Sequence, residues 1–427
     1  LSPACASLDM FRDYAQRRRA RPSGPRSLSR HSWAALRHAA TVPWARSGAR
    51  GGAFRTDWVT VALVLAITLL GLVMVTSASV SIANNETGQP FYYLERQLAL
   101  LLAGGVAAVV LTRVRTELLE KLALPLLIVA IALLVAVLIP GLGHVVNGSR
   151  RWIRLLGFNF QASELARLLV LIYVASYAAR RESELRTSFS GLARPLGLLA
   201  LVGVLLLAEP DFGAATVLFA TGFGVLFMAG ARLRHVLAMV LAAVAAFGAL
   251  VALSGYRMRR LATFLDPWAD PYDSGFQLTQ SLIAIGRGEW FGVGLGESVQ
   301  KLFYLPEAHT DFLFAVLAEE LGLVGVVLTV GLFIALAWRA LHIAQLASDA
   351  GLRFQACLAA GFGLWIGMQA FINIGVNMGA LPTKGLTLPL MSYGRSSLIV
   401  TIAWVGILLR VHHEAASRTR GPATVSA

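Results

Sequence analysis

The sequence predicts an all-α, polytopic integral membrane protein of about ten transmembrane helices, with a large outer loop between the seventh and eighth. Three observations predict this fold class. The 427-residue chain is 57% hydrophobic and 14% charged, whereas a soluble domain is roughly one-quarter charged. Its mean hydropathy is +0.67. Apolar segments of membrane-spanning length recur along the chain, and basic residues are distributed unevenly between them.

Hydropathy separates ten apolar segments, of which the second and fifth are short for a span. They cover residues 58–80, 97–112, 122–139, 163–179, 192–208, 212–230, 235–254, 312–338, 354–378 and 386–409. The predicted organisation is a basic, disordered arm at 1–56, a ten-span membrane domain at 57–411 with its outer loop at 255–311, and a tail at 412–427.

The positions of Lys and Arg predict which way the spans run. If the amino terminus is cytoplasmic, most of the 37 basic residues fall on the cytoplasmic side, which is the bias that membrane proteins show. Both termini are then cytoplasmic. Because this topology accounts for most of the net charge of +14, nucleic acid is not expected as a partner. Outer cations such as Arg257, Arg259 and Arg260 could instead bind anionic membrane lipid.

Titratable side chains are concentrated where the outer loop meets the eighth span. Glu307, His309, Thr310 and Asp311 stand directly before an apolar run. Charge at a membrane boundary is costly unless it is paired or solvated, so it indicates function. Thr310 is expected to cap the helix and place Asp311 in its first turn, where the helix dipole lowers the carboxyl pKa. Burial or Glu307 would raise that pKa instead, and the sequence leaves both outcomes open.

The outer loop is long for a connection in a compact domain, which is typical of functional loops with helices of their own. Residues Phe276–Gly286 have an amphipathic pattern and predict a re-entrant or interfacial helix. The glycine-rich run from 286 to 296 is not expected to form a regular helix. Asp266 and Asp270, each followed by proline, are as consistent with fixed turns as with catalysis.

Two further polar groups are predicted on the outer side. Arg151 lies in a basic run before the fourth span, and Glu164 and Arg167 share one face of that span. They could be an internal ion pair, or they could join Arg151 in a cationic pocket for an anionic headgroup. Proline and glycine break the helix within residues 382–397, and broken helices line cavities or are buried in protein. Lys384 would point into that cavity or extend to the membrane surface.

Motifs for several other chemistries are absent from the sequence. It contains no Walker motif, Rossmann fingerprint, serine-hydrolase elbow or paired-histidine metal motif. ATP hydrolysis and a metal site built by the protein are therefore not expected, and no cofactor is predicted to be built into the chain.

Taken together, the motifs resemble those of the SEDS family, the FtsW/RodA/SpoVE proteins of bacterial cell-wall synthesis. The resemblance covers about residues 55–410. It is carried by Gly71–Val75, Ser77–Ser79, Gly148–Ile153, Ser163–Ala166, Tyr304–Phe312 and Pro382–Ser397. Residues 382–389 resemble the division branch of the family more than the elongation branch. Arg395 and Glu289 stand where the family usually has glycine, and Ala162 where it usually has proline.

The resemblance implies a peptidoglycan glycosyltransferase of the bacterial cytoplasmic (inner) membrane that polymerises lipid II at the division septum. It implies a class B penicillin-binding protein, which is a transpeptidase, and other divisome proteins as partners. It also implies that Asp311 is the essential acid, and inversion at the sugar would make it the general base. The candidate substrate-binding residues are Arg151, Glu164, Arg167, Glu307, His309, Lys384 and Ser392. A divalent cation, Mg²⁺ or Mn²⁺, could travel with the substrate pyrophosphate.

Two other functions stay open from the sequence. A flippase for the lipid-linked precursor would use the same cavity, and Glu319 and Glu320 inside the eighth span would suit a translocation path. A non-catalytic division scaffold would act through the arm and tail, but it leaves Asp311 unexplained. The concentration of polar residues on the outer face favours the enzyme.

Overall fold

The computed structural model describes residues 54–146, 149–155, 158–253, 255–273, 275–383 and 385–418. The predictions for the arm at 1–53, for the tail beyond 418 and for Lys384 lie outside the described residues.

Within these residues the chain is built from helices and one small sheet. The helices are α1 (Trp58–Thr87), α2 (Tyr92–Arg113), α3 (Thr116–Lys121), α4 (Ala123–Leu138), α5 (Ala162–Arg180), α6 (Glu182–Thr187), α7 (Phe189–Ala208), α8 (Phe212–Met228), α9 (Leu233–Ala252), α10 (Gly255–Leu265), α11 (Phe276–Gly288), α12 (Leu313–Asp349), α13 (Arg353–Asn377) and α14 (Arg395–Arg418). The strands are β1 (Gly143–Val146), β2 (Ser149–Leu155) and β3 (Phe158–Gln161).

In the described part of the chain, seven helices are long and apolar enough to cross a membrane, namely α1, α2, α5, α7, α12, α13 and α14. Three shorter apolar stretches, Ala123–Leu138, Phe212–Met228 and Leu233–Ala245, coincide with the other predicted spans. The polytopic helical membrane class is therefore confirmed, and the number ten stays a prediction. The last helix begins at Arg395 rather than near residue 386, because Pro389 cannot donate a helical hydrogen bond and its neighbours form turns.

A three-stranded antiparallel sheet of order β1-β2-β3 lies between α4 and α5, and the all-α prediction did not include it. Ile153 in the central strand pairs with Gly143 on one side and Phe160 on the other. Branched and aromatic residues suit such half-buried strands, but strands this short show no clear period among long apolar helices. The sheet presents Arg151 on β2, and β3 leads directly into α5.

The described chain ends lie at one end of the helical bundle, and the outer loop lies at the other. The Arg55 backbone N–H donates to His413 Nδ1 at 3.0 Å. From there α1 runs for 30 residues, about 45 Å at the usual helical rise, towards Glu86, which accepts a hydrogen bond from Tyr93 Oη at 2.7 Å. Both described ends thus share one side, as the sequence predicts. Which side is cytoplasmic stays a prediction.

Helix α12 is interrupted at Gly322, and the outer loop fills the interruption. Gly322 has φ 63° and ψ −161°, a region that essentially only glycine adopts. The Leu323 N–H donates to the Glu289 carbonyl at 2.9 Å, and the Val293 N–H donates to the Glu319 carbonyl at 2.9 Å. A break in a spanning helix is tolerated where the freed backbone groups find partners inside the protein. The outer loop supplies those partners.

The amphipathic segment is helical as predicted and forms α11, which extends two residues further than expected, to Gly288; its re-entrant or interfacial position stays a prediction. The chain then leaves helical geometry, with positive φ at Gly292, Gly294 and Gly296. Gly288 packs so closely on α12 that a Cβ there would lie 1.9 Å from the Ala318 carbonyl oxygen. The glycine-rich run therefore brings the loop backbone against the broken helix.

Replacing Gly322 by alanine is expected to destabilise the protein by about 1–3 kcal/mol, because its backbone conformation is strained for any side chain. The added Cβ would also lie 2.3 Å from the Gly292 nitrogen. Thermal unfolding in detergent measures the effect. Gly331→Ala is the matched control, since Gly331 lies in the same helix with open space around it. Equal melting temperatures for the two variants would contradict the interpretation.

Candidate functional site

The segment around Asp311 is a series of turns rather than the start of a helix. Helix α12 begins at Leu313 with Phe312 at its N-cap position. The Thr310 hydroxyl donates to Glu307 Oε2 at 2.6 Å, so the prediction that Thr310 caps the helix and places Asp311 in its first turn is wrong. The physical reason is a reversal at Glu307, which has φ 59° and whose carbonyl accepts the Phe312 N–H at 3.2 Å.

Two asparagines of α13 hold the backbone of Asp311. Asn373 Nδ2 donates to the Asp311 carbonyl at 2.8 Å and Asn377 Nδ2 does so at 3.0 Å. Asn377 Oδ1 also accepts the Ala315 N–H at 3.2 Å, a donor in the first turn of α12 that the Phe312 carbonyl accepts as well at 3.0 Å. Sequence reasoning missed both residues. Their signal is a pair of amides four residues apart on one face of an apolar helix.

The segment 385–394 lies against the Asp311 carboxylate. Gly385 has φ 54°, and a Cβ on it would lie 3.4 Å from Asp311 Oδ2. Asn373 Nδ2 also donates to the Leu386 carbonyl at 2.5 Å, so one side chain holds both segments. The helix is broken here, as the sequence predicts. Lys384 immediately precedes this contact but lies outside the described residues.

An aromatic cluster adjoins Asp311. The His309 ring lies 4.6 Å from the Tyr93 ring and 5.7 Å from the Tyr393 ring, and the Tyr393 N–H donates to the His309 carbonyl at 3.0 Å. Burial lowers the pKa of His309, which favours a neutral imidazole at pH 7. Ser392 is buried, and its hydroxyl accepts the Leu388 N–H at 3.0 Å. The structure therefore places Ser392 in the turn that supports this cluster.

Asp211 is a second acid of the site that the sequence reasoning did not single out. It caps α8 by accepting the Ala214 N–H at 3.0 Å. Its other oxygen accepts from Ser163 Oγ at 3.0 Å and from Gln161 Nε2 at 3.2 Å. The available signal was the sequence Glu209-Pro210-Asp211 between two apolar segments.

The electrostatics of the site centre on Asp311. Burial raises its pKa to about 7, and the Glu307 carboxylate adds to the rise. The Arg151 guanidinium lowers the pKa, and Asp211 raises it further. Burial also raises the pKa of the nearby Glu209 to about 8, with Asp211 adding to the rise and Arg151 opposing it. Of the two outcomes that the sequence left open for the Asp311 pKa, the structure therefore supports the raised one. A carboxyl with a pKa near neutrality suits a general base.

Glu164 and Arg167 form an ion pair inside α5, with Arg167 Nη2 contacting Glu164 Oε2. Their exposed fractions are 5% and 1%, and the guanidinium lies 6.0 Å from the Trp365 ring. Of the two arrangements that the sequence left open, the internal pair is the one observed. Arg151 is the arginine whose charge acts on Asp311. Among the described residues no group of three or more His, Cys, Asp or Glu could hold a metal ion.

The chain matches a known family over almost all of its described length. The model of the FtsW/RodA/SpoVE cell cycle proteins covers residues 57–417. A probable peptidoglycan glycosyltransferase FtsW of Nitrosococcus halophilus is 55% identical over 369 residues, which are 86% of this chain and 95% of that protein. A protein of the same description from Thioalkalivibrio sulfidiphilus is 57% identical over 351 residues, covering 82% of this chain and 88% of its own length.

Two solved structures are similar in fold. One was described for the structural coordination of polymerization and crosslinking by a peptidoglycan synthase complex. It has a TM-score of 0.71 and 34% identity, covering 86% of this chain and 99% of its own. The crystal structure of the Thermus thermophilus rod shape determining protein RodA has a TM-score of 0.62 and 32% identity, covering 84% and 97% respectively.

Replacing Asn377 by alanine is expected to loosen the turn that carries Asp311, because the Asp311 carbonyl loses one of its two amide donors and the Ala315 N–H keeps only the Phe312 carbonyl as acceptor. Each hydrogen bond lost costs about 0.5–1.5 kcal/mol. Hydrogen–deuterium exchange across residues 311–318 measures the loosening. The control is Asn85→Ala, which removes an exposed amide. Exchange at wild-type rates in the Asn377 variant would show that the amide does not hold the turn.

Proposed function

Because the chain belongs to the FtsW/RodA/SpoVE family of cell cycle proteins, we propose that it is a peptidoglycan glycosyltransferase that polymerises lipid II with Asp311 as general base. Relatives named as peptidoglycan glycosyltransferases are 55% and 57% identical to it. The observation that supports the catalytic assignment is the half-buried Asp311 carboxyl, whose pKa desolvation raises to about 7 and on which the Arg151 charge acts.

The chemistry requires a single base. Lipid II carries its disaccharide on an α-linked pyrophosphate and the new glycosidic bond is β, so the reaction inverts the anomeric carbon. The Asp311 carboxylate takes the proton of the acceptor hydroxyl while the hydroxyl oxygen attacks that carbon. The bond to the lipid pyrophosphate breaks on the opposite face, and the proton remains on Asp311 until it is lost to solvent.

The leaving pyrophosphate needs positive charge rather than a proton donor. Arg151 is proposed to supply it, because its guanidinium acts on the Asp311 carboxyl and Arg binds phosphate oxygens with two parallel hydrogen bonds. Lys384 is proposed to add a second cation from its position beside Gly385. A divalent cation, Mg²⁺ or Mn²⁺, would be held by the pyrophosphate and at most one protein carboxylate.

The remaining site residues are proposed to bind and orient the sugars. The rings of His309, Tyr93 and Tyr393 offer apolar faces and polar edges next to Asp311. Glu307 tunes the base through its charge. The internal ion pair of Glu164 and Arg167 lies in α5, the helix whose Ser163 holds Asp211.

We also propose the setting in which this multi-pass membrane protein works. Both termini face the cytoplasm, the outer loop faces away from it, and the protein acts at the division septum. Its partners are a class B penicillin-binding protein, which would cross-link the strands, and other divisome proteins. The similarity to a structure from a complex that coordinates polymerization and crosslinking supports such a partner.

Asp311→Asn is expected to fold and insert normally but to lose lipid II polymerisation by at least about 100-fold, the lower range for an acid–base group. Purified protein, with and without its partner, is given labelled lipid II and the glycan ladder is quantified. Asp273→Asn, in an exposed acid of the same loop, is the control. Near-normal ladders from the Asp311 variant would remove its catalytic role. Movement of lipid II across vesicles without ladders from wild-type protein would favour the flippase.

The rate of polymerisation is expected to rise with pH around a midpoint near 7, because only the ionised Asp311 accepts a proton and burial sets its pKa at about 7. The Glu307 charge raises that pKa, so Glu307→Gln should move the midpoint to lower pH. Glutamine still accepts the hydrogen bond from Thr310. Glu297→Gln, in an exposed acid of the same loop, serves as the control. A midpoint displaced to higher pH by Glu307→Gln would refute the assignment.

A further inference from the structure

A buried lysine–glutamate pair binds the outer loop to two helices shortly before Asp311. Lys301 Nζ lies 2.8 Å from Glu320 Oε1, and the two side chains are 7% and 0% exposed. The same ammonium donates to Ser77 Oγ of α1 at 3.0 Å and to the Gly296 carbonyl at 2.6 Å. Ser77 Oγ in turn donates to Glu320 Oε1 at 2.7 Å. Since an ammonium has three donors, the network is complete.

Glu319, the residue before Glu320 in α12, bonds to the same stretch of loop. Glu319 is fully buried and accepts the Val299 N–H at 3.2 Å and the Gln300 N–H at 3.4 Å. Ser298 Oγ donates to Glu319 Oε2, the oxygen that also accepts the Gln300 N–H. The adjacent acids Glu319 and Glu320 of α12 thus hold residues 298–301 next to the break at Gly322.

Such a pair is better suited to setting a position than to adding stability. Two apolar residues of similar volume would stabilise the fold about as well as a buried ion pair. A polar network in which every donor has an acceptor, however, permits only one arrangement of its members. Lys301 and Glu320 therefore specify where the loop lies on α1 and α12.

The position of Lys301 affects Asp311 because a short, constrained segment joins the two residues. Between Lys301 and Asp311 the chain reverses at Phe303 and Glu307, which have φ 68° and 59°, and it buries Leu305 almost completely. The far end of the segment is held by the amides of α13. A displacement at Lys301 must therefore be absorbed by the turns that carry Asp311.

We propose that Lys301 and Glu320 are positioning residues for the general base: their buried pair holds the start of segment 301–311 on α1 and α12 and thereby sets the place of the Asp311 carboxylate. The inference rests on the proposed role of Asp311. Both side chains are buried, so we expect the pair to act on turnover rather than on substrate affinity.

The test replaces the whole pair, so that no lone charge is left buried. Lys301→Met/Glu320→Met is compared with Arg339→Met/Asp57→Leu, which removes a partly buried ion pair of 2.7 Å at the opposite end of the bundle. We expect both double variants to melt close to wild type. Only the first should lose kcat, by about 10- to 100-fold as for an error of about 1 Å in a reacting group, with KM unchanged. Deuterium uptake across 302–312 should rise in that variant alone.

A conservative change separates geometry from bulk packing. Lys301→Gln/Glu320→Gln keeps polar groups at both positions without a buried lone charge and should recover part of the turnover that Lys301→Met/Glu320→Met loses. Unchanged kcat in the double variant, or a loss that merely follows the fraction of unfolded protein, would overturn the inference. So would a change in KM alone.

Deuterium uptake does not require catalysis, which keeps the two hypotheses apart. Normal polymerisation by Asp311→Asn would remove the base assignment on which the inference depends. Unchanged uptake across 302–312 in the Lys301/Glu320 variant would remove the positioning role even if Asp311 proved to be the base.

Discussion

The exchange of backbone hydrogen bonds between the broken helix α12 and the outer loop is the constraint on which the site depends. At Gly322 the helix leaves carbonyl and N–H groups unpaired, and inside a membrane each would cost several kcal/mol. The loop supplies the missing partners at Glu289 and Val293, so neither element is stable in this form without the other. The close contact of the loop with α12 also brings hydrogen-bond donors to Glu319 and Glu320. These donors explain how two adjacent carboxylates are accommodated in an apolar span.

The position of Asp311 gives the site its chemistry. Had the helix begun one turn earlier, its dipole would have favoured the carboxylate and weakened the base. The reversal at Glu307 instead leaves Asp311 between the loop and α12, where burial dominates and the pKa rises to about 7. Asn373 and Asn377 make this position possible, because they bond the backbone carbonyl of Asp311 and leave its side chain free to react.

Those parts of the structure that depend on local composition could be predicted from the sequence, and those that depend on distant contacts could not. Each apolar segment carries its own hydropathy signal and falls on a helix, although α12 extends to Asp349 and α14 begins only at Arg395, and α11 follows from its amphipathic pattern. The break at Gly322 and the sheet through Arg151 have no such signal, since each depends on a partner elsewhere in the chain. The local sequence around Thr310 fits a helix start, but its hydroxyl bonds to Glu307 and does not cap the helix.

Two of the three departures from the family pattern that the resemblance implies lie at or near these contacts. Glu289 stands where the family usually has glycine and adopts φ 45°, a conformation that glycine reaches without strain. Its carbonyl is the one that receives the Leu323 N–H at the break, so the interlock of loop and helix is strong enough to hold a side-chain-bearing residue there. Arg395, at the other unusual position, lies 5.8 Å from the Tyr393 ring, and its charge adds to the burial that lowers the pKa of His309. The Arg395 charge therefore favours a neutral His309 beside Asp311. The described cation that acts on the Asp311 carboxyl itself is Arg151.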